Sequence, residues 1–421
     1  MQDKLLTVIE TAERIGVSAD TIRRWEKMGL LKSIRSEHNY RLFNIDEVER
    51  IKKRQDGSHS PTKFEVLKSP QKTNYTTIEL FTGAGGTALG LENSGLINTL
   101  MVEYDKNAVT TLRTNRPDWN VIHDDIKNVS FVGKTADIVE GGFPCQAFSY
   151  AGKKLGFEDA TRGTLFFEFA RCVKETMPKI AVGENVKGLL KHDNGKTLTT
   201  MVEALQEIGY KVAYKVVRAQ YLDVPQKRER LLIIGVRNDL DLPILFPKEK
   251  DYVVALRDAL KDVPASEGQK YPEKKKKVLD MVPAGGYWKD LPLEMQKEYM
   301  GASFYMGGGK TGMARRLSWE EPSLTLTCAP AQKQTERCHP KETRPLTYRE
   351  YARIQAFPDE WTFAGSLASQ YKQIGNAVPV NLGYHLGRCL IAMLENKPDF
   401  ETMVKVEPIV YQESLVKGLF D

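Results

Sequence analysis

Thr77-Ile78-Glu79-Leu80-Phe81-Thr82-Gly83-Ala84-Gly85-Gly86 passes from an apolar, β-rich run into a glycine turn. The run predicts a strand and the glycines a tight connection into a helix. Glycines at such a turn let the backbone approach an adenosine-bearing ligand, although the spacing is not the dinucleotide Gly-x-Gly-x-x-Gly pattern. The next apolar run, Leu100-Met101-Val102, ends at Glu103. A carboxylate roughly 20 residues beyond such a loop is suited to ribose hydroxyls. Asp124-Asp125-Ile126 follows where a third strand should end, and an acid there can accept a hydrogen bond from an adenine amino group.

Outward from this point, Ala136-Asp137-Ile138-Val139, Ile180-Ala181-Val182-Gly183 and Leu231-Leu232-Ile233-Ile234 continue the alternation of apolar runs with helical patterns. That rhythm predicts an α/β fold, a doubly wound and mostly parallel sheet whose ligands sit at the carboxyl ends of the strands. It spans residues 74–240. From 241 the rhythm is lost among a lysine run (Lys274 to Lys277), a glycine run (Gly307-Gly308-Gly309) and many polar residues, so 241–360 reads as a smaller, irregular domain, with 361–421 returning to the catalytic one.

Ahead of the sheet, Val8 to Ile15 ends at Gly16, Ser18 caps a second helix through Arg23-Arg24-Trp25, Ile34 to Phe43 suits a β-wing, and Asn44 can cap a third helix. Residues 1–51 therefore predict a winged helix-turn-helix, and their pattern resembles the DNA-binding domain of MerR-type regulators. A helical protein-interaction module is the alternative. Residues 52–73 are polar and breaker-rich and read as a linker.

With 421 residues, 41% hydrophobic and 28% charged, the chain suits a globular protein of two or three domains and excludes disorder as its main state. No apolar run is long enough for a membrane span and no basic leader opens the chain, so a cytoplasmic location is expected. Five scattered cysteines lack paired spacing, which predicts free thiols and no zinc; Cys338-His339 likewise lacks metal-ligand spacing. A formal charge of +6 fits a polyanionic partner without demanding one.

The fourth apolar run leads into Gly141-Gly142-Phe143-Pro144-Cys145-Gln146. Two glycines and a proline make a stiff turn that would expose Cys145 beside the glycine loop, and a thiolate there is a nucleophile. Glu184, in Gly183-Glu184-Asn185-Val186, ends the fifth run. Attack of a thiolate at carbon 6 of cytosine makes carbon 5 nucleophilic, and a carboxyl group coupled to ring nitrogen 3 assists it, a role that fits Glu184. Arg228 and Arg230, in Gln226-Lys227-Arg228-Glu229-Arg230, alternate at period two and are expected to face the site together, holding the base carbonyl and the phosphate backbone.

Taken in order, Phe81-x-Gly83-x-Gly85-Gly86, Glu103, Asp125-Ile126, Pro144-Cys145-Gln146, Arg162-Gly163-Thr164-Leu165, Glu184-Asn185-Val186, Gln226-x-Arg228-x-Arg230, Arg344-Pro345-Leu346-Thr347 to Phe357-Pro358, and Gly375-Asn376-Ala377-Val378-Pro379 resemble the bacterial DNA cytosine-5 methyltransferases over residues 75–395. The resemblance implies Cys145 as nucleophile, Glu184 at ring nitrogen 3, and Arg228 and Arg230 as positioning residues. It implies S-adenosylmethionine as cofactor, held by Phe81, Gly83, Ala84, Gly85, Gly86, Glu103, Tyr104, Asp125, Ile126, Pro144, Leu165, Asn376, Ala377 and Val378, and no metal. It further implies double-stranded DNA as partner, a cytosine flipped out of the duplex, a restriction endonuclease acting on the same sites, and a monomer on DNA. Many relatives open the first motif with Asp-Leu-Phe; here Glu79 stands in place of the aspartate.

Arg315, Arg316, Gln332, Gln334 and Arg337 in the small domain have side chains able to read base edges, and Arg23 and Arg24 would lie on the recognition helix of the N-terminal unit. Two other readings share these residues: a tRNA cytosine-5 methyltransferase, and a MerR-like regulator whose methyltransferase half is inactive.

Overall fold

The computed structural model describes residues 5–27, 31, 33–36, 39–45, 48–49, 51–52, 64–143, 165–307 and 310–410. Cys145, Pro144, Gln146 and the Arg162-Gly163-Thr164 motif lie outside the described residues, as does the side chain of Arg24.

In the N-terminal unit the first two helices and the wing follow the expected order, while the expected third helix, Ile45 to Ile51, lies partly outside the described residues. Strand β1 (Leu5–Thr7) leads into the helix Val8–Ile15, which Thr7 and Glu10 close with a capping box and Gly16 ends at a φ of 79°. A second helix, Ala19–Lys27, follows at once, and β2 (Ser33–Arg35) and β3 (Arg41–Asn44) form the wing, in a sheet ordered β1-β3-β2. Ala12, Ile15, Ile22, Leu31, Phe43, Val48 and Ile51 make its core.

The catalytic sheet comprises β4 (Thr76–Leu80), β5 (Ile97–Glu103), β6 (Val121–His123), β7 (Ile138–Gly141), β8 (Ile180–Val186), β9 (Tyr210–Arg218) and β11 (Glu229–Arg237), ordered β6-β5-β4-β7-β8-β11-β9. Pairings among β6, β5, β4, β7 and β8 are parallel, and β11 runs antiparallel to both its neighbours. Chain order reverses between β4 and β7, which makes the crevice beyond their carboxyl ends the topological switch point where such sheets bind ligands.

The alternating pleat sends Ile78, Leu80, Val102, Val139 and Ala181 toward one face, where they pack with the helices Leu165–Thr176 and Lys196–Ile208. The other face, with Ile138, Ile180 and Val182, packs beneath the helices Gly86–Ser94 and Val380–Leu394. Those two helices cross at glycines: a Cβ on Gly90 would lie 2.4 Å from the Val380 carbonyl oxygen and 2.6 Å from the Gly383 Cα. Small residues at the crossing bring the C-terminal helix, and Asn376 to Val378 before it, against the glycine loop.

Two expectations about segment boundaries change. Residues 64–73, read as linker, are laid on the catalytic domain, because Asn381 accepts from Leu67 N at 2.9 Å and donates to the Glu65 carbonyl at 2.9 Å, satisfying backbone that a free linker would leave to water. The 241–360 stretch is divided. Strand β12 (Leu245–Pro247) pairs with β14 (Met403–Lys405), β13 (Ser323–Leu324) pairs with β10 (Gln226–Lys227), and the helix Tyr348–Ile354 packs with the helices around the glycine loop. A separate small core runs from Tyr271 to Cys338, with Leu279, Val282, Trp288, Leu291, Met300, Met313 and Ala314.

Candidate active site

β4 delivers the glycine loop at the switch point. Phe81 (φ 58°), Gly83 (φ 57°) and Gly85 (φ 85°) adopt left-handed backbone that turns the chain from strand to helix without a long connection. Glu103, at the end of β5, clamps this turn: its carboxylate accepts from Gly83 N and from Asp105 N, each at 2.7 Å. A Cβ on Gly83 would meet nothing nearer than the Phe81 carbonyl oxygen at 4.0 Å, so open space stands before the loop. That open cradle, with the Glu103 carboxylate beside it, fits an adenosine-bearing cofactor.

The remaining expected cofactor residues divide into those that face outward and those that support them. Tyr104, directly after Glu103, is 73% exposed. Asp125 caps the turn after β6 by accepting from Lys127 N at 3.1 Å, while Ile126 is buried in the core beneath it. Leu165 is half-buried where its helix begins. Ala84 is buried, and Gly86 is where it is because a Cβ would lie 2.0 Å from the Val378 carbonyl oxygen. Asn376 is exposed and its Oδ1 lies 3.0 Å from Cys328 Sγ, whereas Ala377 is buried.

Two buried amides hold this second loop, and neither was singled out for that task from sequence. Gln355 Nε2 donates to the carbonyls of Ile374 (2.6 Å) and Ala377 (3.1 Å), and Gln226 Nε2 donates to Gln355 Oε1 at 2.8 Å. Arg228 joins them. Its guanidinium, 2% exposed, donates to the carbonyls of Gly375 (3.2 Å) and Asn376 (3.4 Å), and burial followed by the charge of Arg230 lowers its pKa to about 9. The expectation that Arg228 and Arg230 share an outlook is therefore corrected: Arg228 falls in the break between β10 and β11, where strand alternation does not apply, and turns inward to the loop.

Arg230 does reach the other expected catalytic residue. Its Nε lies 2.6 Å from Glu184 Oε1. Glu184 is 9% exposed at the end of β8, and its Oε2 would be 3.5 Å from a Cβ on Gly142, so the carboxyl stands against the chain three residues before Cys145. Asn185 holds that chain through Nδ2 to the Phe143 carbonyl at 2.9 Å. Beside Glu184 the sheet carries two further acids, Glu79 and Glu140, that are register partners on β4 and β7 and are each 1% exposed.

Among the expected DNA-reading residues, the structure corrects two. Arg316, 5% exposed, donates to the carbonyls of Val282, Leu279 and His339 and to Thr343 Oγ1; Arg337, also 5% exposed, donates to the Thr325 and Glu336 carbonyls. Their donors are consumed in holding the small domain together. Arg315 is half-buried, its guanidinium 5.7 Å from the Tyr287 ring centre, and Gln332 and Gln334 are exposed. Gln334 lies against Gly312, whose added Cβ would be 2.3 Å from the Gln334 carbonyl oxygen. In the N-terminal unit Arg23 is exposed and ion-paired with Asp20 at 2.7 Å.

Comparison with known proteins agrees with this geometry. Residues 75–392 match the profile of the C-5 cytosine-specific DNA methylases, and residues 7–43 that of the MerR family regulatory proteins. The Type II methyltransferase M.Eco47II of Escherichia coli is 56% identical over 399 residues, covering 92% of this chain and 95% of its own. The Type II methyltransferase M.Sau96I of Staphylococcus aureus is 47% identical over 397 residues, covering 92% and 88%. A crystal structure of a DNA modification methyltransferase encoded within an E. coli prophage shares the fold, with a TM-score of 0.56 at 23% identity over 76% of this chain and 100% of its own. The strand-end acids, the clamped glycine loop and these matches lead to one conclusion: the chain belongs to the C-5 cytosine-specific DNA methylase family and is a DNA cytosine-5 methyltransferase with a MerR-like N-terminal segment.

Proposed function

We propose that the enzyme methylates carbon 5 of a flipped cytosine within a short, specific sequence of duplex DNA through a covalent bond to Cys145. The observation that carries this reading is the placement of Glu184, clamped by Arg230 and set against Gly142, at the switch point beside the glycine loop. When bound, S-adenosylmethionine supplies an electrophilic methyl group on a sulfonium. Phe81, Gly83 and Glu103 would hold its adenosine, and Asn376, backed by Arg228 and Gln355, would close the other side of the pocket.

In this reading the Cys145 thiolate adds to carbon 6 while Glu184 gives a proton to ring nitrogen 3, which leaves carbon 5 electron-rich. After methylation, a solvent water takes the carbon 5 proton as the thiolate leaves carbon 6, and the nitrogen proton returns to Glu184. Flipping is needed because neither ring carbon is reachable inside the base stack.

Trapping tests the chemistry. Duplex DNA carrying 5-fluorocytosine at the target should form a covalent adduct that survives denaturation, and Cys145→Ala should form none while still binding S-adenosylmethionine. An adduct with the Cys145→Ala protein sinks the proposal. Transfer confined to tRNA would favour the RNA-modifying alternative instead.

The Type II names of the relatives support a further reading: methylation protects host DNA in the cytoplasm from a separate restriction endonuclease with the same target. The helix Ala19–Lys27, with Asp20 and Arg23 exposed, and its wing support a second DNA contact by the N-terminal unit, for tethering or for repression of the enzyme's own gene. Gel shifts of the full-length protein and of a protein lacking residues 1–51 on that gene's promoter decide between a contributing and an idle unit.

A further inference from the structure

At the switch point two carboxyl side chains lie on adjacent strands with no ion-paired cation among the described residues. Glu79 and Glu140 are paired in register on the adjacent parallel strands β4 and β7, so both leave the same face of the sheet. Both are 1% exposed, and Glu79 Oε2 and Glu140 Oε1 have no hydrogen-bond partner among the described residues. Glu79 accepts from the backbone N–H of Ala88, in the first turn of the helix Gly86–Ser94.

The described charged groups around them do not neutralise the pair. Glu103 of β5 acts on Glu79, and Glu184 of β8 acts on Glu140, with Glu184 matched by Arg230 of β11. On the helices packed above, Glu92 is engaged by Arg116 and Trp119, His385 by Asp223, and Arg388 by the Ser94 carbonyl. Buried carboxyls so placed retain protons. Burial, with Glu103 adding to it, raises the Glu79 pKa to about 8; burial, then Glu79 and Glu184, raises that of Glu140 well above the usual carboxylate range.

Their place gives these acids a use. β4 runs into the glycine loop and β7 into the chain that leads on to Cys145, so both acids stand beneath the crevice in which the cofactor reading puts the sulfonium. The cofactor carries a sulfonium charge before transfer and none after it.

We infer that Glu79 and Glu140 form a proton-linked charge sensor at the switch point: the pair releases a proton to solvent when the sulfonium cofactor binds and regains it once the neutral product has formed. Such a sensor favours S-adenosylmethionine over S-adenosylhomocysteine and eases product release. The inference rests on the cofactor reading above.

Calorimetric titration of the full-length enzyme with each ligand, in two pH 8 buffers of different ionisation enthalpy, counts the protons exchanged. The ligands share their amino and carboxylate groups, so the difference between them isolates the sulfonium. Wild type should release more protons, by up to about one, with S-adenosylmethionine than with S-adenosylhomocysteine. Glu79→Gln and Glu140→Gln should shrink that difference and reduce the preference for the charged ligand by about three- to tenfold, a tenfold change corresponding to one pKa unit. Equal proton exchange with both ligands in wild type overturns the sensor, however the variants fold, and so does a difference that persists in both variants. Failure of both ligands to bind rejects the cofactor reading itself, and the sensor with it.

Discussion

Arg230 of β11 approaches Glu184 of β8 to 2.6 Å, one diagonal step off the antiparallel register in which Arg230 faces Val186 and Leu232 faces Glu184. Both side chains are nearly closed off from water, at 11% and 12% exposure. The cation balances the carboxyl's charge as an ion pair, while Arg230 Nη1 donates to the Glu229 carbonyl.

Removing that cation leaves a buried carboxyl unmatched. Arg230→Ala should lower the single-turnover methylation rate by about a hundredfold and cost about 3 kcal/mol of stability, as broken buried pairs do. Arg230→Lys should fall between, since it keeps the charge and loses the planar fork. An unchanged rate in Arg230→Ala would detach the pair from catalysis.

Arg228 should act on cofactor binding more than on chemistry, because its donors end on the Gly375 and Asn376 carbonyls. Arg228→Met should raise the Kd for S-adenosylmethionine by about tenfold, roughly the equivalent of one lost hydrogen bond to a charged group, with a smaller change in kcat. Equilibrium binding beside steady-state kinetics separates the two effects.

Protonation of Glu79 makes a signed prediction for stability. The folded pKa, about 8, lies above the ordinary 4.5, so between these values the folded state binds more protons than the unfolded one and stability falls as pH rises. The stabilising contribution is complete below 4.5 and lost by about 8. Glu79→Gln, which cannot ionise, should therefore gain on wild type in denaturant midpoint as pH increases across that window, reaching on the order of a few kcal/mol. A gap that does not vary with pH would show that Glu79 is not protonated in the fold.

Within the small domain, buried and exposed polar residues should separate cleanly. Arg316→Ala strands three carbonyls and should destabilise the protein by about 2 to 4 kcal/mol. Gln332→Ala and Gln334→Ala should leave the melting temperature within about a degree, as surface substitutions do, while altering affinity for target over non-target DNA. Binding curves on both DNAs at fixed salt are the measurement.

The helix crossing offers a packing test. Gly90→Ala would drive a methyl into the Val380 carbonyl and the Gly383 backbone, neither of which is a flexible side-chain end. A loss of about 1 to 3 kcal/mol is expected, with weakened cofactor binding because the same helix begins at the glycine loop.

Much of this was legible in the chain itself, since local rules governed it. Short continuous apolar runs made strands, glycines with left-handed backbone made the loop after Phe81, and acids at or near the strand ends put Glu103 and Glu184 at the crevice, because parallel strands share one carboxyl end. Thr7, Glu10 and Gly16 likewise bounded the first helix of the N-terminal unit by local hydrogen bonds. What only the tertiary structure decided were the partners of long polar side chains. Arg316, Arg337 and Arg228 look from sequence like outward-reaching cations, yet each is turned inward by backbone carbonyls, Leu279 for Arg316, Thr325 for Arg337 and the distant Asn376 for Arg228. Asn381 fastens a segment that composition marks as linker, and the pairing of Glu79 with Glu140 exists because strand order reverses between β4 and β7. Spacing along a chain specifies which face a side chain leaves; which distant group it meets depends on the order of strands in the sheet.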